Sequence, residues 1–135
     1  MTEIAERREL AAAPEQVWLA LATADGLRGW FWPPRLNPAV EADATEDGRY
    51  RIASDVAGIA VGGQYTAVRP PELLGFTWQW DGEERASEVR VELARSETGT
   101  ELTLTHTGLA DDQLALHTRG WTDCLDRLPE WLAAS

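Results

Sequence analysis

Residues 62–80 read GGQYTAVRPPELLGFTWQW, and the alternation in this stretch decides how the chain folds. An extended run reaches Pro70-Pro71, where the chain turns. A second extended run returns with Phe76, Trp78 and Trp80 at every other position. Side chains two residues apart lie on the same face of a strand, so the three rings share one surface of a sheet. Aromatic area of that size walls either a core or a ligand cavity.

Working outward, turn residues divide the neighbouring sequence into short strands. These are expected at 40–44, 49–54, 59–68, 73–80, 87–94 and 101–107, punctuated by Glu46-Asp47-Gly48, Asp81-Gly82 and Thr98-Gly99. Val89, Val91 and Leu93 oppose Glu88, Arg90 and Glu92. Leu102, Leu104 and His106 likewise oppose Glu101, Thr103 and Thr105. Such alternation describes an antiparallel sheet with one covered and one wet face.

The C-terminal segment supplies the cover. Leu114, Trp121, Leu125, Leu128 and Leu132 recur at helical spacing and form one stripe. Asp111 or Asp112 can cap the start of this helix. Arg119, Asp123 and Arg127 fall on its outer side at i, i+4 intervals. Pro129 is expected to kink or end the helix near Leu128, because its ring clashes with the carbonyl four residues back. At the other end, residues 3–11 read as a strand, and Pro14 opens a helix running to about 23–24. Ala13 is a poor N-cap, so that helix start leans on tertiary packing. A short second helix over 25–30 stops ahead of Pro33-Pro34. The predicted order is β-αα-ββββββ-α, an α+β architecture in which one long helix lies across a curved antiparallel sheet.

Composition narrows the function. The 135 residues make one expected domain, 1–135, large enough to bury a core without metal or disulfide support. No apolar run is long enough to span a bilayer, and the charged N-terminus lacks a signal-peptide segment, so a cytoplasmic protein is expected. All 12 basic residues are Arg, and 23 acidic residues bring the net charge to −11. That charge repels nucleic acid and anionic membranes, so neither is expected as a partner. The lack of Lys removes side-chain Schiff-base chemistry. There is no glycine-rich phosphate loop, no nucleophile-elbow motif and no metal-ligand spacing, so no cofactor or metal is expected.

Five segments together resemble a known family. PEQVWLALATADGLRGWFWPP resembles the strand-to-helix-pair entry of the START-like, or SRPBCC, superfamily. GRYRI, GGQYTAVRPPELLGFTWQW and GTELTLTHTGL, followed by GWTDCLDRL, resemble its branch related to the C-terminal domain of the activator of the ninety-kilodalton heat-shock chaperone's ATPase. The resemblance implies a helix-grip fold with a deep hydrophobic pocket between the C-terminal helix and the concave sheet. The superfamily includes lipid and hormone binders, polyketide cyclases and chaperone-activating domains, so fold alone does not choose among them.

The candidate site residues follow from parity and chemistry. Trp78 and Trp80 point to the concave side, facing Trp121 on the long helix. Trp30 and Trp32, flanking Phe31 ahead of two prolines, either gate the pocket mouth or plug the end of the core. His106 shares the inward parity of its strand, and His117 lies near the buried stripe of the helix; each is a polar contact for a ligand or a satisfied core histidine. Tyr50 and Tyr65 could hydrogen-bond a bound carbonyl or simply sit at the core rim. Cys124 is about 10 Å along the helix from His117, too far for a thiolate–imidazole pair, and reads as a small apolar residue. The leading expectation is binding of a hydrophobic or aromatic small molecule, such as a lipid or polyketide, in a central cavity. The rivals are a cyclase or aromatase using a His or Tyr as general acid/base, and a chaperone-associated interaction domain. Homodimer formation and a heat-shock chaperone partner stand beside these as partner expectations.

Overall fold

Burial along the last two strands follows the alternation. Ser87, Val89, Val91 and Leu93 are buried on one, Thr100, Leu102, Leu104 and His106 on the other, and the residues between them are exposed or half-buried. The computed structural model describes residues 3–134. In chain order these are β1 Glu3–Leu10, α1 Pro14–Ala22, α2 Ala24–Trp30, β2 Ala39–Ala42, β3 Arg49–Ser54, β4 Ile59–Arg69, β5 Leu73–Trp80, β6 Ser87–Arg95, β7 Thr100–Thr107 and α3 Leu114–Ala134. The strands form one 7-stranded sheet in the order β1-β7-β6-β5-β4-β3-β2, with antiparallel pairing throughout. This is the curved helix-grip arrangement. The sheet wraps α3, and α1 with α2 fills one end.

Local chemistry explains the elements. α1 starts at Pro14 without a side-chain cap from Ala13; the Gln16 side chain accepts the Ala13 N–H instead. Thr23 caps α2 by accepting the Gly26 N–H at 2.9 Å. A Cβ at Gly26 would run into the Leu19 and Ala20 backbone, so the close crossing of α1 and α2 requires glycine there. β4 carries an irregularity between Tyr65 and Ala67, where a bulge sharpens the bend of the sheet.

Three expectations change. Asp111 and Asp112 do not cap α3; they form a 3-10 turn, Asp111–Gln113, whose N-cap is Ala110 with no side-chain bond. Pro129 does not stop α3, which continues to Ala134. The last turn is retained because Trp131 and Leu132 pack against the core, with the Trp131 indole lying on Gly29 of α2. Tertiary burial offsets the lost backbone bond there. Arg127, expected on the outer side of α3, instead turns inward, for a reason that belongs to the site.

The buried stripe of α3 is His117, Trp121, Cys124, Leu125 and Leu128. Leu125 and Leu128 are 1% and 0% exposed, and each contributes roughly 1.5–3 kcal/mol by leaving water.

Candidate functional site

The period-two row on β5 delivers Trp78 and Trp80 to the side facing α3, with ring centroids 5.5 Å apart and planes at 89°. α2 ends at Trp30, and the chain then carries Phe31 and Trp32 over the same edge before Pro33 and Pro34. The Trp32 ring stacks parallel to Trp80, with centroids 6.2 Å apart and planes within 5°. Together with α3 these rings wall a cleft of about 540 Å³. Trp32, Trp78 and Trp80 line it on one side; His117, Trp121 and Cys124 line it on the other.

Two hydrogen-bonded chains hold the walls in place. Trp80 Nε1–H donates to His117 Nε2 at 3.0 Å, and His117 Nδ1–H donates to the Gln113 carbonyl at 2.9 Å. An indole nitrogen can only donate, so the imidazole must accept at Nε2 and carry its proton on Nδ1. Deeper, Trp121 Nε1–H donates to His106 Nδ1 at 2.9 Å. His106 must then carry its proton on Nε2, which meets Ser87 Oγ at 2.7 Å, and the Ser87 hydroxyl donates to the Trp78 carbonyl at 3.3 Å. Both ring nitrogens of each imidazole are used. Burial, and secondarily the neighbouring His117, push the His106 pKa down to about 3.

Cys124 is likewise satisfied. Its thiol donates to the Phe31 carbonyl at 2.8 Å, and burial raises its pKa to about 12. A thiol held protonated in this way is a poor nucleophile. Arg127 turns inward to the same place: Nε donates to the Trp30 carbonyl at 3.0 Å and Nη2 to the Phe31 carbonyl at 2.8 Å. These are the end carbonyls of α2, where a cation complements the helix dipole. Arg127 therefore acts as the clamp on the aromatic segment.

The named residues divide. Trp32, Trp78, Trp80, His117, Trp121 and Cys124 meet at the cleft. His106 lies behind it at 0% exposure. Trp30 faces the core, with its indole donating to the Ala20 carbonyl at 2.8 Å. Tyr50 and Tyr65 form a separate cluster with Phe76, and the Tyr50 hydroxyl is spent on the Thr77 carbonyl at 2.6 Å. Burial raises both phenol pKa values, that of Tyr65 to about 12. The deep space between sheet and α3 is largely filled by side chains. The two voids beside Phe31 measure about 20 and 30 Å³, the scale of a single water. The larger space lies outward, at the cleft.

Sequence reasoning missed Phe31 as a separate element of the site, and it missed Ser87, Gln113 and Arg127. Phe31 was visible only as part of an aromatic cluster. For the other three the spacing does not disclose the role, since their partners lie on other elements or on the backbone. Among the described residues, no group of three or more His, Cys, Asp or Glu is placed to hold a metal ion. No helix among them is long and apolar enough to cross a membrane.

Solved structures share this architecture. A protein from Chromobacterium violaceum is 25% identical, with a TM-score of 0.83 over 96% of each chain. CalU16 from Micromonospora echinospora is 26% identical with a TM-score of 0.74, covering 96% of this chain and 74% of that one. The Aha1 dimer from Colwellia psychrerythraea is 22% identical with a TM-score of 0.84, covering 98% and 96%. No curated protein matches the chain. The family described as activator of Hsp90 ATPase homolog 1-like protein matches residues 11–133, from the end of β1 almost to the end of α3, and the chain belongs to that family.

Proposed function

We propose that the protein binds an apolar, aromatic small molecule in the cleft between α3 and the Trp32–Trp80 stack. The observation that carries this reading is a space of about 540 Å³ walled by four indoles, Trp32, Trp78, Trp80 and Trp121. Small-molecule sites are typically about 300–1,000 Å³, mostly apolar, with a few fixed polar groups. The two histidines serve here as struts. Each holds an indole at a set angle and has no ring nitrogen left over, so the geometry favours recognition over proton transfer.

Titrating flavonoids, polyphenols and fatty acids while following tryptophan emission tests the reading. A saturable change with one of these classes is expected, and Trp32→Ala should weaken it roughly tenfold by removing the stacking partner of Trp80. Emission that stays flat with every compound overturns the proposal. Homodimer formation is a second reading, supported by the dimeric Colwellia relative and by two exposed apolar side chains at the cleft rim, Leu116 and Ile59 at 62% and 39% exposure. Analytical ultracentrifugation over a concentration series checks it, and a single monomer boundary at all concentrations would remove it.

A further inference from the structure

Among the described residues, Trp78 Nε1 is the one buried side-chain nitrogen or oxygen without a hydrogen-bond partner on the protein. Its neighbours show that the fold partners its indoles where it can: Trp30 donates to a carbonyl, and Trp80 and Trp121 donate to imidazoles. A buried donor left unpaired is costly, so a group of that kind calls for an explanation, and an acceptor brought by a ligand is one. Trp78 is 5% exposed, and its ring lines both the cleft and the inner void of about 20 Å³.

Phe31 separates these spaces. It is the residue common to the linings of the cleft and of both inner voids. Its ring lies 6.0 Å from Trp78 and 5.8 Å from Trp121, centroid to centroid. Its backbone is fixed: the amide donates to the Leu27 carbonyl at 3.0 Å, while Cys124 and Arg127 both donate to its carbonyl. Any opening here therefore turns the side chain and leaves the main chain in place.

We propose that the Phe31 ring swings aside to join cleft and voids into one chamber, which takes a flat aromatic molecule whose neutral oxygen acceptor, a ketone or ether, bonds Trp78 Nε1. This rests on the binding reading above and adds the ligand's chemistry. The acceptor is neutral because the inner chamber offers no free countercharge: the ring nitrogens of His106 and His117 are already bonded, the inward face of Arg127 is spent on the α2 carbonyls, and the other charged residues of the lining, Arg35, Glu83 and Asp123, are exposed at the cleft rim.

The probes are naphthalene and 2-acetylnaphthalene, which share a ring system and differ by one carbonyl group. With the full chain labelled at its indole nitrogens, the ketone should move the Trp78 Nε1–H resonance downfield and bind roughly three- to tenfold tighter than naphthalene, the range of one net hydrogen bond. Trp78→Phe should erase that preference, and Phe31→Ala should speed association of both probes. If both probes bind equally, or the Trp78 resonance stays still while the ketone binds, this inference is overturned and the binding reading survives. If neither binds, both fall. The resonance measurement needs only the unmodified sequence, so a variant that fails to fold does not spare the proposal.

Discussion

Two indole–imidazole pairs are built from the same chemistry and do different work. Trp121 and His106 meet in the interior, with His106 at 0% exposure and bonded onward through Ser87 to the backbone of β5. Trp80 and His117 meet at the cleft, where His117 is 8% exposed and bonds back onto its own helix at Gln113. The first chain links α3, β7, β6 and β5, and so fixes how the helix sits on the sheet. The second fixes the angle of one wall ring. An identical hydrogen bond therefore belongs to stability in one place and to the shape of the binding surface in the other. Access of water decides which, because a lost partner can be replaced at the cleft and cannot be replaced inside.

The inner pair should reveal itself most strongly through pH. The folded protein keeps His106 neutral down to about pH 3, whereas the unfolded chain takes up that proton near 6.5. Between those values the unfolded state binds more protons, so stability is complete above pH 6.5 and falls as pH falls towards 3. The whole window amounts to on the order of 5 kcal/mol. Urea midpoints from pH 7 to 3 measure it, and the slope assigned to His106 is the part that disappears in His106→Leu. An unchanged slope in that variant would deny the inner histidine its role.

Next comes His106→Leu itself at neutral pH. It strands the buried Trp121 N–H and removes the partner of Ser87, which should cost about 3 kcal/mol in chemical denaturation. His117→Leu is the smallest effect. Trp80 is half-buried and water can reach its freed N–H, so a loss of about 1 kcal/mol or less is expected, together with a shifted tryptophan emission from the loosened Trp32–Trp80 stack. Equal losses for the two variants would mean that both pairs are core fixtures and that the cleft wall is not separately held.

Much of the fold was legible because it rests on periodicity. The β5 row, the clean alternation of β6 and β7 and the helical stripe ending at Leu132 all place apolar groups at fixed intervals, and burial enforces those intervals. Pro129 shows the limit. The local rule for proline ends the helix, and Trp131 packing on Gly29 of α2, a contact between residues about a hundred positions apart, overrides it. Arg127 shows the same limit for the site. Its spacing with Asp123 reads as an exposed pair, yet two carbonyls at the end of α2, those of Trp30 and Phe31, draw it inward.

Spacing alone oriented the side chains of β6 and β7 and the indoles of β5, and showed that aromatic rings dominate the interior, because side-chain direction along a strand is a local property of the backbone. Only the tertiary structure decided which indole bonds which imidazole, which indole goes without a partner, and that Phe31 closes the space between helix and sheet. Those outcomes depend on distances between elements far apart in the chain, and a hydrogen bond or a filled void is set by tenths of an ångström that no spacing in a sequence encodes.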